Sequence, residues 1–235
     1  MKNFLKNIIK RLIYYIKWNQ YQIISYSQEG EDVIVGRIFN SIDNGFYIDI
    51  GAHHPIRFSN TYLLYLRGWK GMNIDAQPGS MKLFKKLRPS DINLEIAITE
   101  KIETLNYYQF NEPALNGFSK DLSEIRDGFS KYKIVNVMAL EGYPLSMILQ
   151  KNLPINQAID LLSIDVEGFE FEVLKSNDWL IYRPKVIVLE ILNSTLDNLP
   201  DNLSYKFLVS KNYVLYAKSN NSIFFIRNDY IKFIS

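Results

Sequence analysis

The two histidines of this 235-residue chain stand side by side at the end of the run "FYIDIGAHHP" (46 to 55). An imidazole titrates near pH 6.5, so a histidine in a site can take up a proton and act as a general base. His54, held by Pro55 just after the turn at Gly51, is our first candidate for that base. The alternative is that both histidines only cap the backbone of their loop.

Carboxylates follow several other apolar runs of the chain. Such groups can accept hydrogen bonds from a bound ligand, and their oxygens suit a hard cation such as Mg²⁺. We predict that a magnesium ion, if one is used, binds Asp165, Glu190 and Asn193. The alternative for Glu190 is that it orients a ligand or pairs with a basic residue such as Arg57.

The elements that must position these residues alternate between strands and helices. Apolar runs bounded by turn residues predict parallel strands, and the intervening segments have helical periodicity. We therefore predict an α/β fold with a Rossmann-like, doubly wound, mostly parallel seven-stranded sheet that ends in a C-terminal antiparallel hairpin. Residues 103 to 110 suggest an added hairpin strand, and residues 111 to 133 a loop or lid. The predicted parallel strands are 45–52, 71–77, 92–99, 158–168 and 184–191. The hairpin strands are 213–219 and 222–228, and a further short strand is predicted at 132–140. The predicted helices are 59–68, 78–90, 143–152, 169–178 and 203–212.

Ligands of open α/β sheets bind beyond the carboxyl ends of the strands, where the acidic residues and histidines stand. The residues after Gly51 are Ala-His-His-Pro rather than a glycine-rich phosphate loop, which argues against a nicotinamide-dependent oxidoreductase. Asp75, at the end of the second strand, can accept hydrogen bonds from both hydroxyls of a ribose. A site that can bind a ribose but has no phosphate loop favours a cofactor with a ribose and no diphosphate, and S-adenosylmethionine is such a cofactor. The alternative is that Asp75 only forms the turn before Pro78.

Four segments together resemble the FkbM family of S-adenosylmethionine-dependent methyltransferases. The resemblance spans roughly residues 26 to 195 and implies a class I methyltransferase fold and O-methylation, commonly of sugars, polyketides and related natural products. Asp75 stands where many relatives have Glu, and either residue can bind a ribose. The four segments are "YSQEGED" (26–32), "YIDIGAHHPIRFSNTYLLYLRGWKGMNIDAQP" (47–78), "DLLSIDVEGFEFEVLKS" (160–176) and "PKVIVLEI" (184–191).

The resemblance also implies roles for individual residues. Asp49, Gly51 and His53 would line the methionine part of the cofactor, Asp75 and Ala76 the ribose, and Ala97 within residues 95 to 98 the adenine. Asp165 and Glu167 would face the methionine amine or the acceptor, and with His54 they are the predicted catalytic residues. Gln28 or Glu31 could reach the cofactor, although Ser27 with Glu31 could instead form a simple helix cap.

The expected acceptor is a hydroxyl of a sugar, nucleotide-linked or part of a glycan precursor. Tyrosines between residues 105 and 143 could stack on such a ligand, although buried tyrosines more often belong to the core. The alternative function is a non-catalytic methyltransferase-fold scaffold in a glycan or natural-product pathway.

The composition limits the cell compartment and the partners. With no cysteine and a net charge of +2, the chain fits a cytoplasmic location and is not expected to bind nucleic acid.

Residues 1 to 25 are predicted to form an amphipathic arm before a methyltransferase domain at 26 to 235. Apolar residues recur there at helical spacing opposite a basic face, so the arm could pack on its own domain, on a second subunit in a homo-oligomer, or on a membrane surface as a peripheral contact. The apolar positions of the arm are Phe4, Leu5, Ile8, Ile9, Leu12, Ile13 and Ile16.

Overall fold

A computed structural model describes residues 2–19 and 21–234 of the chain. Its centre is a seven-stranded sheet with the order β3-β2-β1-β7-β8-β10-β9, in which the first five strands are parallel and β10 and β9 are antiparallel. This confirms the predicted fold, a Rossmann-like, doubly wound, mostly parallel seven-stranded sheet closed by a C-terminal antiparallel hairpin. The strands are β1 (Phe46–Ile50), β2 (Lys70–Asp75), β3 (Ile92–Glu95), β7 (Leu161–Ile164), β8 (Val186–Glu190), β9 (Tyr213–Ser219) and β10 (Ser222–Arg227).

Helices cover both faces of the sheet because successive side chains of the central strands point to opposite faces. On one face Ile48 of β1 packs in a core with α6, α7 and α8, and on the other face Tyr47 packs with α2 and α3. Since both faces are apolar and covered, all five residues of β1 are buried. The helices are α1 (Lys2–Asn19), α2 (Glu31–Ile38), α3 (Tyr62–Leu66), α4 (Met81–Leu87), α5 (Lys120–Arg126), α6 (Leu145–Asn152), α7 (Glu170–Lys175) and α8 (Leu203–Ser210).

A small second sheet stands beside the main one. It consists of β4 (Ala97–Ile98), β6 (Ile134–Tyr143) and β5 (Glu103–Phe110), with β5 and β6 antiparallel. The predicted third strand at 92–99 therefore divides at Ile96: its first half pairs with β2 and its second half with β6.

The segment between β5 and β6, residues 111 to 133, is called the cap segment below. It was predicted as a loop or lid, and it contains a 3₁₀ turn at Pro113–Leu115 and the helix α5. The side chain of Ser119 accepts a hydrogen bond from the backbone N–H of Leu122, which satisfies one free donor at the start of α5. A Cβ on Gly117 would lie 3.2 Å from Cβ of Glu167, so the cap segment approaches the main sheet closely at this glycine.

The N-terminal part of the chain has two sections. Helix α1 covers most of the predicted arm, while residues 1 and 20 and the side chains of Leu5, Leu12 and Ile16 lie outside the described part of the structure. Within the described residues, no helix is both long and apolar enough to cross a membrane. The division into an arm and a domain at residue 25 stays a prediction.

The second section, residues 25 to 32, is attached to the C-terminal hairpin. Oε2 of Glu29 accepts the N–H of Asn221, and Oε1 of Glu31 accepts the hydroxyl of Ser222. The oxygen of Ser27 bonds Asp32 rather than Glu31, so the predicted pairing of Ser27 with Glu31 does not form. The start of α2 is thus fixed by contacts more than 190 positions away in the sequence.

Candidate active site

A cavity lies at the carboxyl ends of β1, β2, β7 and β8, and the cap segment closes one side of it. The strand order brings the predicted residues together here because parallel neighbours end at the same edge of the sheet. The residues of the predicted site that line the cavity are Gln28, Gly51, His53, Asp75, Ala76, Asp165, Glu167 and Glu190. Asp49, His54, Ala97 and Asn193 are not among the lining residues.

Gly51 is required by the packing of the sheet. It has φ +78°, and a Cβ at this position would lie 1.7 Å from the carbonyl oxygen of Asp165. A side chain here would therefore collide with the end of β7 before it met any ligand. The glycine lets the ends of β1 and β7 come close enough to form one wall of the cavity.

Asp49 lies beneath that wall, in a buried polar network. Its Oδ2 accepts the hydroxyl of Thr61 at 2.6 Å, and the guanidinium of Arg88 donates to the same hydroxyl at 2.9 Å. Burial raises the pKa of Asp49, while the Thr61 hydrogen bond and Arg88 oppose the shift. Arg88, which is fully buried, also pairs with Asp91 at 2.9 Å. This network ties β1 to the loop before α3, so the structure gives Asp49 a structural environment instead of a place on the cavity surface.

Asp75 ends β2 with both carboxylate oxygens directed at backbone amides. The N–H of His53 donates to Oδ2 at 2.8 Å and the N–H of Gln77 donates to Oδ1 at 2.7 Å. Burial raises the pKa of Asp75 to about 6, although these two amides lower it. Each carboxylate oxygen has a second lone pair, so the group can still accept hydrogen bonds from a ligand in the cavity.

The two histidines have different environments. His53 lines the cavity with φ +51°, and burial followed by the charge of Arg57 lowers its pKa. His54 points into its own loop, where Nδ1 accepts the N–H groups of Ile56 at 3.0 Å and Arg57 at 2.9 Å. Since Nδ1 holds two donors, the proton of the neutral ring stands on Nε2, and His54 has no lone pair free to take a proton from an acceptor. This geometry favours the alternative of a loop cap for His54 over its predicted role as general base.

An acidic cluster lies where β7 and β8 end. One carboxylate oxygen each from Asp165, Glu170 and Glu190 lie within 4.8 Å of one another. Burial, and then the charge of Asp165, raise the pKa of Glu190 to about 11, and burial raises that of Glu170 to about 7. The pKa of Asp165 is raised by burial and by the neighbouring charges of Glu167 and Glu170. Carboxylates this close cannot all be ionised without a counter-charge, so the cluster holds protons at neutral pH.

This cluster differs from the predicted metal site in one residue. Asn193 does not line the cavity; it stands in a left-handed backbone conformation with φ +54°, and its backbone carbonyl accepts a hydrogen bond from the side chain of Asn198. Glu170 takes its place because the tight turn at Glu167 and Gly168 brings the first turn of α7 back toward β8. The predicted pairing of Glu190 with Arg57 does not form, since Arg57 pairs with Glu112 at 3.1 Å.

The cap segment supplies residues that the sequence analysis did not identify. Arg126 reaches from α5 into the cavity and pairs with Glu167 at 2.6 Å. Nδ2 of Asn116 donates to the side-chain oxygen of Gln77 at 2.9 Å, which joins the cap segment to the end of β2. On the cavity wall, Tyr107 of β5 and Phe118 of the cap segment form a tilted aromatic pair with their ring centroids 4.9 Å apart. The only sequence signal for this group was the concentration of tyrosines after residue 104, which did not specify an orientation.

The known proteins that are similar to this chain match most of its length. The family model described as "Methyltransferase FkbM domain" matches residues 49–213, well over half of the chain. No curated protein matches the chain in sequence. A solved structure, precorrin-6y C5,15-methyltransferase from Geobacter metallireducens GS-15, is similar with a TM-score of 0.42 and 14% identity, over 85% of this chain and 86% of that one. On the family match, this chain belongs to the FkbM methyltransferase family.

Proposed function

We propose that the protein is an S-adenosylmethionine-dependent O-methyltransferase that acts on a hydroxyl of a sugar, nucleotide-linked or part of a glycan precursor. The observation that carries the proposal is the single cavity lined by both Asp75, at the end of β2, and Asp165, directly after β7. A ribose bound to Asp75 leaves the rest of the cofactor to extend along the end of β1 toward Asp165. S-Adenosylmethionine supplies a methyl group on a positively charged sulfur, and the acidic wall of the cavity suits that charge.

The cavity fits this cofactor in three respects. The carboxylate of Asp75 is fixed by two backbone amides and can accept the ribose hydroxyls. Apolar residues next to it, Ile96 and Ile98, line the cavity where an adenine would lie, with Ala97 between them in the chain. No glycine-rich phosphate loop follows β1, which agrees with a cofactor that has no diphosphate.

Asp165 is the residue we propose to accept the proton of the acceptor hydroxyl. It lines the cavity, next to the carboxylates of Glu170 and Glu190. Burial, followed by the charges of Glu167 and Glu170, raises the pKa of Asp165 above the ordinary value of an aspartate, which makes it a stronger base. Glu167, neutralised by Arg126, would position the acceptor.

The acidic cluster also fits a magnesium ion. Three carboxylates can each offer an oxygen, and Oε2 of Glu190 is buried without a hydrogen-bond partner among the described residues. We propose that Asp165, Glu170 and Glu190 would hold the ion, which when bound would itself lower the pKa of a coordinated hydroxyl, in place of the role of Asp165 as base. Glu190 would have to release its proton first, because its raised pKa keeps it protonated at neutral pH.

The charge of the cavity favours an acceptor that presents a neutral sugar hydroxyl. Four carboxylates line the cavity, and the described cationic side chain among the lining residues, Arg126, is paired with Glu167. If the acceptor is nucleotide-linked, its phosphates would have to lie outside, near Arg57, whose side chain is 45% exposed. A cytoplasmic location, where such sugar precursors and the cofactor meet, remains part of the proposal and is supported by the lack of cysteine.

Cofactor binding is tested by titrating the full chain with S-adenosylhomocysteine in a calorimeter. We expect binding by the unaltered protein and a roughly 10- to 100-fold weaker affinity for Asp75→Ala, because hydrogen bonds to a charged group contribute about 1.5–3 kcal/mol. Asp43→Ala, an exposed change in the loop before β1, is the matched control and should bind normally. A protein that is folded but binds no S-adenosylhomocysteine would contradict the proposal and favour the scaffold function.

Acceptor identity requires a second experiment. Candidate sugars and sugar nucleotides are incubated with the protein and methyl-labelled S-adenosylmethionine, and the position of the new methyl group is mapped by NMR. Asp165→Asn should still bind S-adenosylhomocysteine but lose about 10²- to 10⁴-fold in turnover. Retained turnover would remove Asp165 from the role of base.

A further inference from the structure

Helix α1 presents an apolar face that the rest of the described chain does not cover. Phe4 is 71% exposed, Ile9 is 54% exposed and Ile13 is 51% exposed. By contrast, Val35 and Ile38 of the neighbouring helix α2 are buried in the core. An 18-residue helix with exposed apolar residues along its length is unusual in a protein whose other helices are packed on a sheet.

The charged side chains of the segment that contains α1 are all positive. Residues 1 to 28 contain five of the 27 lysines and arginines, and all 25 acidic residues lie at or after Glu29. The remainder of the chain is therefore net negative, while the segment that contains α1 is strongly positive. A partner that matches α1 must be apolar where it meets the helix and must carry negative charge beside that contact.

The apolar and the basic side chains of α1 occupy different parts of the helix surface. At about 100° per residue, Phe4, Ile8, Ile9 and Ile13 fall on one half of the circumference. Lys6 and Lys10, four residues apart, lie together along one border of that half, and Arg11 lies at the other border; all three side chains are exposed. An apolar half bordered by cations is the arrangement of helices that lie in a lipid headgroup layer, where long basic side chains reach back to the phosphates.

A second copy of α1 is a poorer partner. Two such helices packed face to face would bring ten positive charges together with no acidic side chain between residues 1 and 28 to compensate them. The apolar half is also broader than the narrow seam that a two-stranded coiled coil buries. We propose that α1 is a peripheral membrane anchor that lies flat on an anionic lipid bilayer and holds the methyltransferase domain at its surface. The proposal concerns a different surface from the cavity and does not depend on the proposed function.

Sedimentation of the full chain with vesicles tests the anchor. Vesicles of phosphatidylcholine alone are compared with vesicles that also contain phosphatidylglycerol, at low and at high salt. We expect binding to the anionic vesicles that falls strongly at high salt, because ions screen the attraction to the lipid charge. The double change Lys6→Glu with Lys10→Glu should weaken this binding by at least roughly tenfold.

The matched control reverses two exposed lysines elsewhere, Lys82→Glu with Lys151→Glu, and so changes the net charge by the same amount. It should bind anionic vesicles as the unaltered protein does. A further pair, Ile9→Asn with Ile13→Asn, removes apolar surface without changing charge and should also release the protein. Circular dichroism and thermal unfolding show whether each variant keeps the folded domain.

Three results would overturn the proposal: equal binding to both kinds of vesicle, no binding to either, or the same loss of binding in the Lys82 and Lys151 control. A fourth result, from light scattering without lipid, would also overturn it. If the unaltered chain is a dimer that Ile9→Asn with Ile13→Asn converts to a monomer, the apolar face of α1 contacts a second copy of the chain instead of a membrane.

Discussion

Glu190 ends β8 among other carboxylates, and its replacement by glutamine should stabilise the folded protein. Burial and the charge of Asp165 raise the pKa of Glu190 to about 11, and Oε2 has no hydrogen-bond partner among the described residues. Glutamine has nearly the shape of the protonated acid but cannot ionise. The change therefore keeps the packing and removes a group that prefers the unfolded state at neutral pH.

The sign and size of the stability change follow from the pKa of Glu190 in the folded protein and its ordinary pKa in the unfolded chain. Below about pH 4.5, the ordinary pKa of a glutamate, the side chain is protonated in both states and contributes no pH dependence. Above that pH, the unfolded chain releases the proton while the folded chain keeps it until about pH 11, so the free energy of unfolding falls by about 1.4 kcal/mol per pH unit. At pH 7 the difference amounts to about 3 kcal/mol, and for a domain of this size that corresponds to roughly 5–10 °C in Tm.

The assay is denaturant unfolding of Glu190→Gln and of the unaltered protein at several pH values from 5 to 8.5, in the presence of a chelator. The stability gained by the variant should be small near pH 5 and should grow steadily with pH. Glu124→Gln on the exposed surface of α5 is the control and should change stability by less than about 0.5 kcal/mol at every pH. A variant that is less stable than the unaltered protein, or a gain that does not depend on pH, would refute the description of Glu190 as a buried, protonated acid.

Three other predictions concern the same edge of the sheet. Gly51→Ala should lower the free energy of unfolding in urea by at least about 3 kcal/mol, because the added Cβ would meet the carbonyl of Asp165. The control Gly79→Ala, also at positive φ but with no atom within 4 Å of the added Cβ, should lower it by only about 1–2 kcal/mol. His54→Ala should lower stability by about 1–2 kcal/mol through the loss of its loop cap, yet leave the pH dependence of turnover between pH 6 and 8 unchanged; a shifted pH profile would restore it as a base. Calorimetric titration with Mg²⁺ at pH 7 in buffers of different ionisation enthalpy should detect proton release, and the number of protons should fall in Glu190→Gln.

The main sheet could be predicted from the sequence because its signal is local. A strand buried on both faces reads as a continuous apolar run, as Val186–Glu190 does, and the turns between runs are short. The small sheet was harder to predict because β5 pairs with β6 across the cap segment, and no local pattern fixes that register. The same long-range pairing divides the predicted strand at Ile96, whose neighbours on either side belong to different sheets.

The site was predicted most directly where a residue follows the end of a strand. Asp75 and Asp165 lie where their strands end, and the sheet edge brings them to one cavity. Asn193 is three residues beyond β8, and the left-handed turn there directs it elsewhere. Glu170 was missed because its position depends on the turn at Gly168: its Oε1 accepts the N–H of Gly168 at 2.9 Å, which holds the side chain against the end of β7.

The segment "YIDIGAHHP" is explained largely by the fold that it builds. Asp49 anchors Thr61, Gly51 makes room for the carbonyl of Asp165, and His54 caps its own loop. Ile50, Gly51 and His53 line the space where the proposed cofactor would bind, and the N–H of His53 fixes the carboxylate of Asp75. These residues shape the wall of the cavity, and the groups available for proton transfer lie across it, at the ends of β7 and β8. A change at Gly51 or Asp49 should therefore abolish activity by disturbing the sheet, whereas a change at Asp165 should abolish activity in a protein that remains folded.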